Sequence, residues 1–289
     1  MGIVTGDSSR EELVVNAHYD RLMKCYEYFR SVTDFKPGIG VVLGSGLGNY
    51  AQNMKVVCDI PYGDIPGFPV STVPGHDGRF LLGYIGETPV VVMKGRVHYY
   101  EGYSMEEVVL PIRLMKMMGI GTLLLTNAAG AINRYFKEGD FMIIKDQISS
   151  FVPSPLIGEN LCQLGERFPD MTHVYDPGLQ ELIKKTAKRE KIQVREGIYV
   201  QTTGPNFESP AEIKMYGFLG ADAVGMSTTC EAIAARHAGV KVCGISCISN
   251  MAAGITGEIL SHLDVQAIAN KRADDFERLI TSFIQEVEN

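Results

Sequence analysis

Short apolar runs of strand length alternate along this chain with segments that carry explicit helix-start signals, and that interleaving limits the fold more than any other feature. The runs fall at 39–43, 80–85, 90–93, 122–125, 141–145, 198–201 and 240–248. Most lack clean apolar–polar alternation, as strands covered on both faces do. Ser9 with Glu12 forms a capping-box pattern ahead of Val14, Leu22, Tyr26 and Phe29 at helical spacing. Ser104 with Glu107 repeats it before Val108, Ile112, Met115 and Met118, and Gly119 is the expected stop. Asp176-Pro177 and Ser209-Pro210 each set a capping residue before a proline suited to the first helical position. One final helix is expected over 264–287, with Val265, Ile268, Ala269, Phe276, Leu279, Ile280, Phe283 and Ile284 on one face.

Strands interleaved with helices predict an α/β fold. No repeat, low-complexity tract or linker divides the 289 residues, so 1–289 reads as a single domain. The stretch 149–172, with Pro153, Pro155 and Pro169, is too long for an idle connection and is expected to be functional or interfacial.

Composition excludes several classes. Lys+Arg number 27 against 34 Asp+Glu, a net charge of −7, which argues against a nucleic-acid partner held by bulk charge. It leaves open a small anionic ligand bound locally. Apolar runs fall far short of the roughly 20 residues of a spanning helix, so no membrane association is expected. The start MGIVTGDSSREE lacks the apolar segment of a secretion signal, and a cytoplasmic location is expected. Six cysteines without C-x-x-C spacing read as reduced thiols, and six scattered histidines predict no metal site.

Chemistry-bearing residues gather where the apolar runs end. Gly44-Ser45-Gly46-Leu47-Gly48 follows the first run, and glycines there let backbone N–H groups converge on an anion. Its G-x-G-x-G spacing departs from the dinucleotide G-x-G-x-x-G. Asp59 keeps a ribose-binding reading open, and a bare strand-to-helix turn is the alternative. Arg96, His98 and Tyr100 follow the run at 90–93; in an extended segment they share one side and suit an oxyanion beside hydroxyls. The alternative is an Arg–Glu surface pair with packed aromatics. Thr126-Asn127-Ala128-Ala129-Gly130 allows close backbone approach, or is simply a turn. Glu208, preceded by Phe207, either serves the helix that begins after Ser209 or accepts from the N–H groups of a heterocycle. Ser227 is a cap or a ligand, Asn250 carries the donor and acceptor that read a purine edge, and His262 opens the last helix.

These residues stand in LGSGLG (43–48), IPGFPVSTVPGHDGR (65–79), KGRVHYYEGY (94–103), TNAAGAIN (126–133), GERFPDMTHVYD (165–176), GPNFES (204–209), GADAVGMST (220–228) and ARHAGVKVCGIS (235–246). In that order, and over nearly the whole chain, the sequence resembles the trimeric, low-molecular-mass purine nucleoside phosphorylases. The resemblance implies one domain with a mixed central β-sheet, a distorted barrel and surrounding helices. It implies reversible phosphorolysis of purine (deoxy)ribonucleosides, serving purine salvage, with inorganic phosphate as co-substrate and no cofactor.

Carried over by position, Ser45, His76, Arg96, His98, the Ala128 backbone and Ser227 resemble the family's phosphate site. Tyr100, the Met226 backbone and His262 resemble its ribose contacts. Glu208 and Asn250 resemble its purine readers, with His98 beside them in the catalytic group and Phe207 and Tyr199 lining the pocket. Phe168 matches a residue that reaches into a neighbouring subunit, implying a homotrimer. Asn250, where the related methylthioadenosine phosphorylases carry Asp, implies 6-oxopurines: inosine and guanosine. Ser249 in place of a mammalian Thr, and Met251 in place of Lys, suggest a bacterial-type member and leave xanthosine open. A methylthioadenosine phosphorylase and a non-catalytic purine-binding protein are the other readings.

Overall fold

The computed structural model describes residues 17–44, 50–72 and 78–287. The capping pattern at Ser9, the turn from Ser45 to Gly48, and His76 lie outside the described residues.

Helix α1 (Ala17–Val32) leads into β1 (Ile39–Leu43), and β2 (Lys55–Pro61), β3 (Arg79–Ile85) and β4 (Thr88–Lys94) follow. Next come α2 (Met105–Met118), β5 (Thr122–Ala131), β6 (Phe141–Ile148), α3 (Pro177–Arg189) and β7 (Val194–Gln201). The chain continues through α4 (Pro210–Phe218), β8 (Ala223–Gly225), α5 (Thr229–His237), β9 (Lys241–Met251), α6 (His262–Lys271) and α7 (Ala273–Glu286). Cap chemistry sets several boundaries as the sequence predicts. Ser104 and Ser209 accept from the backbones of Glu107 and Glu212 in reciprocal capping boxes, and Asp176 accepts from Leu179. Gly119, at φ +120°, ends α2.

The sheet runs β2-β3-β4-β1-β5-β8-β7-β6-β9, and β9 returns to pair with β5. The last five strands therefore close into a barrel, and β4, β1, β5 and β9 run parallel. Side-chain alternation splits the core into two layers. Val42, Leu123 and Leu125 face Phe29, Ile112 and Ala235 from α1, α2 and α5. Val41 and Leu124 face Ile183 and Ile280 from α3 and α7. The expected α/β fold with a mixed sheet and barrel is what forms.

Four local expectations need correction. The turn-like Thr126–Gly130 is strand: β5 stays paired with β9 through Ala131, because small residues leave the ladder intact where the apolar run stops. Strand β2 falls outside the expected runs because its apolar stretch, Val56-Val57-Cys58, is short, and it forms a sheet edge with Val56 and Val57 exposed. The long terminal helix breaks at Arg272 (φ −102°, ψ 1°). The apolar face of α7 thereby stays in the core while α6 turns its Val265 towards a cavity. Finally, Asp59 pairs with Arg79 at 2.7 Å on the outer hairpin, far from a ribose-binding role.

Candidate active site

The chain rises from its strands into one cavity of about 340 Å³ at their carboxyl ends. Of the predicted residues, Arg96, His98, Tyr100, Ala128, Phe207, Glu208, Met226, Ser227 and Asn250 all line it. The strands responsible are β4, β5, β8 and β9, so long-range pairing gathers residues up to 154 positions apart (250 − 96). Ligands of open α/β sheets bind beyond these ends.

Arg96 is only 2% exposed and is held from several directions. Its Nη1 donates to Ser227 Oγ at 2.7 Å and Thr228 Oγ1 at 3.2 Å. Its Nη2 donates to the Thr126 carbonyl at 3.0 Å, and Nε lies 3.3 Å from Glu231 Oε1. Glu231 is as deeply buried as its partner, and that burial raises its pKa against the opposing pull of Arg96. The arginine's acidic partner is thus Glu231 in α5, rather than Glu101 in a surface pair.

Glu101 serves His98 instead. Residues after β4 do not continue extended; Tyr99–Glu101 form a 3-10 turn that folds Glu101 back. Its Oε1 accepts from the His98 backbone N–H at 2.7 Å and lies 3.1 Å from His98 Nδ1. Burial alone would raise its pKa, but bonds from His98 and Thr72 outweigh that and hold it at about 2. The turn stacks the His98 and Tyr100 rings, with centroids 4.8 Å apart. Burial, with Glu101 nearby, pushes the Tyr100 phenol up to about 12.

At the other end, a bulge brings two consecutive residues into the cavity. Ala129 pairs with Ile248 but Gly130 with Asn250, so Ser249 is an extra residue on β9. Neighbouring strand side chains normally point to opposite faces; the bulge lets both Ser249 and Asn250 line the cavity. Ser249 Oγ donates to Asn250 Oδ1 at 2.9 Å and Asn250 Nδ2 donates to the Met251 carbonyl at 3.0 Å, which leaves the second amide N–H able to donate onward. Glu208 faces this region from the segment between β7 and α4, and Thr202 Oγ1 donates to its Oε1 at 2.8 Å. Desolvation raises the Glu208 pKa. Gly204 permits the close approach of this segment: a Cβ there would come within 2.4 Å of Met226 Sδ and 3.0 Å of Tyr100 Cδ1.

One predicted lining residue is elsewhere, and Phe168, expected to serve a neighbouring subunit, lies apart from the cavity of its own chain. Tyr199 is fully buried behind the wall, its hydroxyl so close under Gly225 that a Cβ at 225 would lie 2.2 Å from it. Phe168 is 86% exposed on the long loop and does not line its own chain's cavity. His262 is the first residue of α6, one turn before the lining residue Val265. Sequence reasoning missed Glu231, Thr228, Ser249 and Thr202 as supporting groups. A lone acid inside the apolar helix TCEAIAARH was the available signal for Glu231; Ser249 depends on strand pairing, Thr228 on the turn before α5 and Thr202 on the fold of the segment that carries Glu208. All six cysteines are unpaired. Among the described residues no group of His, Cys, Asp and Glu could hold a metal ion, and no helix is long and apolar enough to cross a membrane.

One cavity on this barrel sheet thus carries a buried guanidinium, an imidazole, a carboxylate and an amide, and the class of protein it belongs to is defined by its likeness to known chains. Residues 38–285 match the family model described as the Phosphorylase superfamily. Purine nucleoside phosphorylase 1 of Geobacillus stearothermophilus is 51% identical over 249 residues, covering 86% of this chain and 91% of that protein. Its counterpart from Bacillus subtilis is 45% identical over 269 residues, covering 93% and 99%. The crystal structure of Schistosoma mansoni purine nucleoside phosphorylase in complex with inosine superposes with a TM-score of 0.90 at 36% identity, covering 95% of this chain and 99% of that one. The same organism's enzyme in complex with adenosine gives 0.89 at 37%, covering 95% and 100%. The chain belongs to the phosphorylase superfamily, among its enzymes of the purine nucleoside phosphorylase type.

Proposed function

We propose that this enzyme catalyses reversible phosphorolysis of 6-oxopurine nucleosides, inosine and guanosine and their deoxy forms, to the free base and (deoxy)ribose 1-phosphate. The observation that carries the reading is that a single cavity is lined by Arg96, His98 and Ser227 together with Glu208 and Asn250. Phosphate sits against Arg96, His98, Ser227 and the Ala128 backbone, joined by Ser45 and His76. Tyr100, Met226 and His262 hold the sugar, and Phe207 packs on the base.

In the forward direction the C1′–N9 bond breaks and its electron pair goes to the purine. One phosphate oxygen bonds to C1′ with inversion. Positive charge developing on the sugar faces the phosphate. Negative charge developing at N7 and O6 meets the Asn250 amide N–H, while the Glu208 carboxylate accepts from N1–H. No metal or organic cofactor takes part. Phosphate, rather than a side chain, is the nucleophile.

Relatives crystallised with inosine, guanosine and adenosine support purine nucleosides as the substrate class. The preference for 6-oxopurines rests on Asn250, whose oxygen accepts from Ser249 and whose nitrogen, with one N–H on the Met251 carbonyl, keeps the other to donate. Asn250→Asp is expected to weaken inosine phosphorolysis and raise relative adenosine activity; Asn250→Ala is expected to cost inosine turnover roughly 100-fold, as loss of a donor to developing charge does. Steady-state rates on both substrates check this, and unchanged inosine turnover in Asn250→Ala and Glu208→Ala contradicts the base assignment. The reading includes a homotrimer in which Phe168 completes a neighbour's site. The reading includes a cytoplasmic location, and a place in purine salvage follows from the resemblance.

A further inference from the structure

Thr228 stands apart among the buried residues. It is fully enclosed and held at φ +88°, ψ −54°. The Thr229 N–H donates to the Ser227 carbonyl at 3.1 Å, so the backbone closes a three-residue γ-turn centred on Thr228. A γ-turn of positive φ is rare and strained, and a β-branched residue is the least suited to it. Such a conformation persists only where its surroundings enforce it. Thr228 also occupies the N-cap position of α5 without making a capping bond, so the usual role of a threonine there is absent.

Its hydroxyl is engaged inside the site instead. A threonine oxygen offers two acceptor positions and one proton. Asn127 Nδ2 donates to it at 2.9 Å and Arg96 Nη1 at 3.2 Å, which fills both acceptor positions. The remaining proton belongs to the contact with Ser227 Oγ at 3.1 Å. Ser227 Oγ accepts a second bond from Arg96 Nη1 at 2.7 Å. With both acceptor positions of Ser227 filled, its own proton is left to the cavity that Ser227 lines.

We infer that Thr228 is a positioning residue that fixes Ser227 as a hydrogen-bond donor towards a bound oxyanion. The strained turn directs the hydroxyl back between Asn127, Arg96 and Ser227, and the resulting proton order turns the Ser227 Oγ–H away from Thr228 and Arg96. The inference rests on the phosphate-site reading given above.

The test is the phosphate KM, measured with inosine saturating, alongside the inosine KM and kcat. Thr228→Val keeps the branched shape and loses the hydroxyl. It is expected to raise the phosphate KM about tenfold, the scale of one lost bond to a charged group, with inosine KM within about twofold of the parent. Thr228→Ser restores the hydroxyl and is expected to restore the phosphate KM. Thr228→Gly, which the turn accepts without strain, is expected to repeat the rise and keeps the test decisive where the valine variant folds poorly. A parental phosphate KM in both Thr228→Val and Thr228→Gly overturns the inference, as does a serine variant as impaired as the valine one. Ser227→Ala separates the two levels. No change there overturns the phosphate site itself, whereas a rise there with none at Thr228 overturns only the role of Thr228.

Discussion

Arg96 is positioned before any ligand arrives, and the carboxylate that steadies it is buried with it. A surface arginine would have to be ordered on binding; this one has Thr126, Ser227, Thr228 and Glu231 already in place. Arg96, His98 and Asn250 were legible as residues because their chemistry is carried by type: a guanidinium, an imidazole, an amide. Their supports were not, because Glu231 is 135 positions from Arg96 (231 − 96) and only the fold makes them partners. Glu101 ties stability to acid pH. Its folded pKa of about 2 lies below the ordinary 4.5, so the stability it contributes is present above pH 4.5 and is lost as pH falls towards 2. Glu101→Gln is therefore expected to lack a loss on the order of 2–3 kcal/mol that the parent shows across that window. Denaturant unfolding at stepped pH checks it, and identical acid profiles would show that the carboxylate is not held as described.

At the scale of elements, the site depends on how closely the end of β1 approaches β5, which continues in the sheet. Gly44 donates its N–H to Thr126 Oγ1 at 2.9 Å, and that hydroxyl donates to the Val42 carbonyl at 2.8 Å. A Cβ on Gly44 would lie 2.6 Å from Asn127 Cα and 2.7 Å from the Thr126 carbonyl oxygen, and both are backbone atoms that cannot swing aside. Gly44→Ala is expected to destabilise the fold by about 1–3 kcal/mol, with a larger fractional loss of activity than of stability, because Thr126 also holds Arg96. Thermal unfolding and inosine turnover, measured together, check it. Helix starts at Ser104, Asp176 and Ser209 could be read from sequence because a cap is local chemistry between residues three apart. The bulge at Ser249 and the turn at 99–101 could not. The first depends on β5, and the second on Glu101 reaching back to His98 and across to Thr72.

At the scale of the whole molecule, Phe168 is one of several large apolar side chains turned to solvent, with the Arg167 guanidinium 5.7 Å from its ring centre. It lies on the loop braced by Arg167, whose Nη1 donates to the Leu156 and Gly158 carbonyls at 3.2 and 2.8 Å. An 86% exposed phenylalanine on a braced loop is what a contribution to a second copy's site would require. The proposed trimer predicts that Phe168→Ala keeps the fold and lowers nucleoside affinity, and that sedimentation gives three chains per particle. A fully active monomer would remove that role. The account as a whole stands on phosphate-driven cleavage of a 6-oxopurine nucleoside. The direct measurement is release of hypoxanthine from inosine with and without inorganic phosphate, beside adenosine and xanthosine under the same conditions. The account predicts release that requires phosphate, yields ribose 1-phosphate in equal amount, and is faster for inosine than for either comparison substrate. Release that proceeds equally without phosphate, or adenosine cleaved in preference to inosine, would contradict it.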